Sequence, residues 1–365
     1  MSNIGTLDCD RDAIFAPEVG RCVASEGEYE ISPDGNNISD DVGVVVIGRN
    51  EGERLLACLR SINLPRHHSV YVDSGSCDRS VQVARELGWS IVELDLSTPL
   101  SAARARNAGL TALIAAAPAL KFVQFVDGDC EVAAGWIETA AAHLRDHQAV
   151  AVVCGRRRER FPERSIYNQL CDMEWNTPVG QATSCGGDAM MRVDVLARVG
   201  GFNPKLIATE EPELCFRLAA SGYKIWRLDA DMTLHDAAMQ HFSQWWRRCM
   251  RCGYGNANVA WLHVGSTGHL LQREIARSIV WAGLAPLFAI LMTPVFPAAL
   301  SFFLLYPLQI LRIAIKRGPA ELQSWQYAFF VMLGKFPECL GTLRFMMKHW
   351  RNQQSTLIEY KQSGA

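Results

Sequence analysis

Between residues 42 and 153, short apolar runs alternate with helix-length segments, and few folds accept that rhythm. Val42, Gly43, Val44, Val45, Val46 and Ile47 read as a buried strand, and Leu55, Leu56, Leu59 and Ile62 form one face of a helix over 51–63. Apolar residues at 70–72, 90–92, 122–126 and 150–153 predict further strands. Segments 81–87, 102–116 and 136–144 predict the helices between them. A helix between successive strands implies crossover connections and a mostly parallel sheet with helices on both faces. Ligands bind such sheets beyond the carboxyl ends of the strands.

Acids collect at those ends. The second predicted strand runs into Asp73, Ser74, Gly75, Ser76, Cys77, Asp78, and the fourth into Asp127, Gly128, Asp129. Two carboxylates one glycine apart suit a hard divalent cation, Mg²⁺ or Mn²⁺, which takes oxygen ligands and keeps substrate phosphates in its shell. Asp73 and Asp78 suit the donors of a base or ribose, because carboxylates cannot cradle phosphate without a metal. Asp78 is also placed to cap a helix.

A second regime lies beyond Arg277. Residues 278–311 hold no Asp, Glu, Lys, Arg or His and are broken by Pro286, Pro294, Pro297 and Pro307. Folded near Pro294 and Pro297, they give two arms close to the roughly 20 residues a membrane span needs. Arg273 and Arg277 precede them, and Arg312, Lys316 and Arg317 follow. The positive-inside rule therefore predicts a hairpin with both flanks in the cytosol. A buried pair of core helices is the alternative. Residues 325–350 mix aromatic and basic side chains and suit an interfacial amphipathic helix.

Ten acids against Arg11 and Arg21 make residues 1–41 an acidic, loosely ordered extension without the basic flank and apolar run of a signal peptide. The predicted division is therefore 1–41 extension, 42–265 catalytic domain and 266–365 hydrophobic hairpin with interfacial helix. Lys and Arg number 36 against 38 acids, so the average charge gives no nucleic-acid footprint, and no nucleic-acid partner is expected. The 12 cysteines lie scattered through strands and helices, as reduced thiols facing the cytosol would.

The successive motifs Val46-Ile-Gly-Arg-Asn-Glu-Gly-Glu53, Val72-Asp-Ser-Gly-Ser-Cys-Asp78, Ala105-Arg-Asn-Ala-Gly-Leu110, Phe125-Val-Asp-Gly-Asp-Cys130, Gly200-Gly-Phe-Asn203 and Thr209-Glu-Glu-Pro-Glu-Leu-Cys-Phe-Arg-Leu218 stand in one order. Together they resemble a family 2 inverting glycosyltransferase of the GT-A fold, of the bacterial envelope or exopolysaccharide type, over about residues 42–255. The resemblance implies that Asp73 and Asp78 hold base and ribose, with Arg106 and Asn107 nearby. It puts Asp127 and Asp129 on the D-x-D motif, with Asp129 the direct ligand of the diphosphate-bound cation. A late metal-ligating histidine falls at His235, where a purely structural histidine is the alternative.

The family's general base aligns with Glu211 where an aspartate is usual. Glu210 is left to bind or orient the acceptor, and the choice of base stays open between the two. Gln244-Trp-Trp-Arg-Arg248 resembles Q-x-x-R-W with Arg248 in the tryptophan's place, which implies donor binding by Gln244 and leaving-group stabilisation by Arg247. The implied activity is sugar transfer from a nucleotide-diphosphate donor to a hydroxyl acceptor. A lipid-linked glycan is one candidate acceptor, at the cytoplasmic membrane with the catalytic domain facing the cytosol. Two rivals remain: a non-catalytic nucleotide-sugar-binding scaffold or sensor at the membrane, and a nucleotidyltransferase, which would need a fuller phosphate loop after the first strand.

Overall fold

The computed structural model describes residues 40–265 and 271–353. All but the last two residues of the acidic extension therefore lie outside the described residues. In chain order the elements begin β1 (Val42–Gly48), α1 (Glu53–Ser61), β2 (Ser69–Asp73), α2 (Ser80–Glu86), β3 (Ser90–Glu93), α3 (Ala102–Ala116), β4 (Phe122–Asp127), β5 (Cys130–Val132), α4 (Trp136–Asp146) and β6 (Val150–Glu159). They continue with α5 (Ile166–Trp175), β7 (Gly180–Ala182), β8 (Ala189–Arg192), α6 (Val193–Val199), α7 (Glu210–Ala220), β9 (Lys224–His235) and α8 (Phe242–Leu262). The last helices are α9 (Gln272–Ile279), α10 (Ala285–Met292), α11 (Leu305–Arg317) and α12 (Leu322–Trp350).

The strands form one sheet in the order β3-β2-β1-β4-β8-β6-β9-β5, with β7 on β9. β3, β2, β1 and β4 are parallel, as the alternation requires. β8 pairs antiparallel with both β4 and β6, and β7 with β9, so the sheet is mixed. β1 is fully buried from Val42 to Val46, which is why it reads as an unbroken apolar run. Glycine lets α3 approach it: a Cβ on Gly109 would lie 2.3 Å from a Val45 methyl.

Two compact units divide the chain. One gathers the described residues up to Gly155 with Pro178–Pro204 and Leu214–Thr233. The other gathers Arg156–Thr177, Lys205–Glu213 and the chain from Leu234 onward. Within the second unit α8 and α12 cross so closely that a Cβ on Gly253 would lie 2.0 Å from the Glu338 carbonyl oxygen, and one on Gly341 2.0 Å from that of Met250. The α12 helix therefore buries one face, with Ala328, Met332, Cys339 and Phe345, while Phe329, Leu340, Leu343, Met346 and Met347 stay exposed.

Two helical spans of 21 residues, Gln272–Met292 and Pro297–Arg317, are long and apolar enough to cross a membrane. The first holds a single π-helical turn, Val280–Leu284, and the second begins as a 3₁₀ helix, Pro297–Leu304. Leu284, Leu287, Ile290, Leu291, Leu304 and Leu308 are exposed on them. The ten cysteines among the described residues are all free thiols.

Candidate active site

The register of the parallel strands sets Asp127 opposite Ile47 and Asp73 opposite Gly48, so the acids after β4 and β2 flank the end of β1. Asp73 is buried, and its carboxylate serves its own turn. Oδ1 accepts from the hydroxyls of Tyr71 at 2.9 Å and Ser76 at 2.5 Å. Oδ2 accepts from the backbone N–H of Gly75 at 2.9 Å and Ser76 at 2.8 Å. Four hydrogen bonds match the acceptor sites of one carboxylate.

Asn50, in left-handed backbone with φ of 56°, clasps this turn to the loop after β1. Its N–H donates to Ser76 Oγ at 2.9 Å, and its Oδ1 accepts from the Cys77 N–H at 2.8 Å. Asp78 accepts from the N–H groups of Ser80 and Gly52 at 2.9 and 3.1 Å. Partial burial pushes its carboxyl up, but hydrogen bonds from Ser80 and Gly52 outweigh this and hold it below the usual aspartate range.

The turn after β4 is held from elsewhere. Arg106 on α3, only 2% exposed, donates to Asp127 Oδ1 at 2.9 Å and lies 5.4 Å over the Phe202 ring. Asp188, fully buried before β8, accepts from the Asp127 N–H at 2.9 Å and from the Thr233 hydroxyl at 2.7 Å. A Cβ on Gly187 would meet both Arg106 Nη2 and Asp127 Oδ2 at 2.6 Å, so only glycine fits against this ion pair. Asn107 trades two hydrogen bonds with the Phe202 backbone, Nδ2 to O at 2.7 Å and N to Oδ1 at 2.9 Å. It fixes the Gly200-Gly201-Phe202 turn to α3.

Asp129 is buried, with the Cys130 thiol 3.5 Å from its Oδ1. Ligand atoms of Asp127, Cys130 and Asp188 all lie within 4.8 Å of one another. Burial and then the charges of Asp188, Asp127 and Glu51 push the Cys58 thiol well above its ordinary range. Negative charge therefore accumulates at this edge. Carboxylate oxygens in such a field fit a hard divalent cation, whereas the Cys130 sulfur is the wrong donor for one.

In the second unit Glu210 and Glu211 open α7, where Pro212 sits in the first turn and needs no N–H partner. Glu210 is buried and Glu211 half-buried. Thr209 before them has a φ of 61°, a genuine outlier for a β-branched residue and a mark of functional turns. α8 presses against it, since a Cβ on Gly255 would lie 2.6 Å from Thr209 Oγ1. Glu213, a turn further on, pairs with His263 at 3.0 Å.

His235 ends β9, is buried, and meets the Glu159 carboxylate through Nδ1 at 3.3 Å and the Trp175 ring edge-on at 4.8 Å. Gln244 is buried and caps α8: its Oε1 accepts from the N–H groups of Gln240 and His241 at 2.8 and 2.9 Å. Arg247 donates back to the Ser243 carbonyl at 3.2 Å. Arg248 is paired with Glu174 at 2.9 Å, and Trp245 is buried against Tyr167 and Phe330. Arg156 is buried against Asp172 at 2.9 Å.

Sequence reasoning missed Asp188, Thr233 and Glu159. The glycine pair Gly186-Gly187 before β8 is the one signal that could have pointed there.

The family description "Glycosyl transferase family 2" matches residues 43–198, and "Glycosyl transferase family group 2" matches residues 122–315. The chain belongs to this glycosyltransferase family, and its fold is of the GT-A type. A mannosyltransferase, PcManGT from Pyrobaculum calidifontis, solved in complex with GDP-Man and Mn²⁺, is similar at 16% identity and a TM-score of 0.53, over 82% of this chain and 86% of that one. S. aureus TarS, residues 1–349, gives 16% identity and a TM-score of 0.45 over 85% and 92% of the two chains. The same fragment in complex with UDP gives 15% and 0.48 over 86% and 92%. No curated protein sequence matches the chain.

Proposed function

We propose that this glycosyltransferase moves a sugar from a nucleotide-diphosphate donor to a hydroxyl acceptor with inversion at the anomeric carbon. The observation that carries the reading is the pairing of Asp127, two residues before the buried Asp129, with Asp188 at the strand ends, braced by the buried Arg106. Asp127 and Asp129 would hold Mg²⁺ or Mn²⁺, with His235 as a nitrogen donor. When bound, the cation would offset the diphosphate charge as the glycosidic bond breaks.

Asp73 shapes the nucleoside side through the turn it organises, and Asp78, Arg106, Asn107 and Gln244 complete the donor-binding set. Glu211, the more accessible of the two acids at the start of α7, takes the proton of the acceptor hydroxyl. Glu210 orients the acceptor, and Arg247 supplies positive charge to the leaving group.

The catalytic domain comprises residues 42–265. Residues 266–365 attach it to the cytoplasmic membrane through the two apolar spans and the exposed face of α12, with the catalytic domain in the cytosol and a lipid-linked glycan as acceptor.

Gln244 is spent on capping α8 and Arg248 on Glu174, which favours one second reading, a membrane-bound nucleotide-sugar sensor without turnover. Full-length protein in detergent, given a panel of nucleotide-sugars, Mn²⁺ and a membrane lipid extract, is expected to release nucleoside diphosphate. Glu211→Gln should bind donor and release none. Donor binding without release in the parent protein selects the sensor, and neither binding nor release overturns both readings.

A further inference from the structure

Glu159 has no place in the donor or acceptor chemistry above, yet its carboxylate is wholly buried at the end of β6. Burying a carboxylate is costly unless its oxygens are satisfied. Here Oε1 accepts from Asn168 Nδ2 at 3.2 Å and the Phe161 N–H at 3.3 Å, and Oε2 from the Ala237 N–H at 3.1 Å. The remaining contact is His235 Nδ1, 3.3 Å from Oε2.

Asn168 is itself locked, its N–H bonded to Ser165 Oγ at 3.0 Å and its Oδ1 accepting from the Met239 N–H at 3.0 Å. Trp175 stands edge-on to the imidazole, and the Arg157 guanidinium lies 5.0 Å over that indole. Four residues therefore restrain one ring.

We propose that Glu159 is the positioning residue that fixes the tautomer and orientation of His235. An ionised carboxylate can only accept, so the contact requires a proton on Nδ1, and in the neutral ring the lone pair then lies on Nε2. A carboxylate behind a histidine in this way also raises the basicity of the ligating nitrogen. The consequence for metal binding rests on the reading of His235 as a cation donor, whereas the tautomer does not.

Full-length protein labelled with ¹⁵N-histidine tests the tautomer directly. At neutral pH and without metal, His235, assigned by loss of its signals in His235→Ala, should show a protonated Nδ1. The opposite tautomer, or rapid exchange between the two, overturns the proposal whether or not the Glu159 variants fold. Mn²⁺ affinity, read from the electron paramagnetic resonance of free Mn²⁺, supplies the second readout.

Glu159→Leu should weaken Mn²⁺ binding by about 10–100-fold. Glu159→Gln, whose amide oxygen still accepts from Nδ1, should restore most of it. Equal affinity in parent and Glu159→Leu, with His235→Ala weakened, overturns the positioning role alone. Unchanged affinity in His235→Ala, with the Nδ1–H tautomer present, removes the metal reading of His235 and leaves the positioning by Glu159 standing.

Discussion

The turns after β2 and β4 both carry two aspartates at the edge of the same parallel strands, yet they are built in opposite ways. After β2, every hydrogen bond to the Asp73 carboxylate comes from residues 71–76. After β4, the partners come from α3 and from the loop before β8, with Arg106 21 residues away in sequence and Asp188 61 residues away. The first turn satisfies its own acid locally, with Asn50 from the loop after β1 as its outside tie. The other depends on the packed fold, and its carboxylates keep the charge that a cation would neutralise.

The largest expected effect therefore falls on the second turn. Arg106→Leu removes the cation beside Asp127, whose side chain is 28% exposed. That exposure places the cost below the roughly 3–5 kcal/mol of a fully buried pair, at about 2 kcal/mol. Urea unfolding measures it, and nucleotide binding should fall with it. Unchanged stability and binding would mean that the turn after β4 is as self-sufficient as the one after β2.

Asp73→Asn should cost less, about 1–2 kcal/mol, because the new amide group faces N–H donors it cannot accept from. Hydrogen exchange should show faster opening at Gly75 and Ser76 only. Exchange spreading to Asp127 and Asp188 would join the two turns into one unit.

The smallest effect is electrostatic. Asp78 titrates below its ordinary value in the folded chain, so its contribution is present above a pH of about 3.9 and is lost as pH falls through the depressed folded value. Asp78→Asn should flatten the acid limb of the stability profile slightly and leave it unchanged near neutrality.

The same contrast explains what could be read from the sequence. Val42 to Ile47 and Phe122 to Val126 announced buried strands because parallel strands are apolar on both faces, and the acidic end of the latter followed directly. Helix α3 was legible to the residue, Ala102 to Ala116. The short strands β5 and β8 were not, since three or four residues carry too little periodicity and their antiparallel pairing is set by distant partners. Asp188 and Glu159 were invisible for the same reason: each is a lone acid until the fold brings Thr233 or His235 to it. Gln244 was visible as part of a motif, but its capping role depends on how the chain enters α8.

The most direct test of the account is Mn²⁺-dependent binding of nucleoside diphosphate to the full-length protein, measured by calorimetry for the parent, Asp129→Ala and Asp73→Asn. Binding that needs Mn²⁺, disappears in Asp129→Ala and survives weakened in Asp73→Asn is the expected result. Binding of equal strength in the parent and Asp129→Ala would contradict the assignment of the carboxylate edge after β4 as the seat of donor and metal.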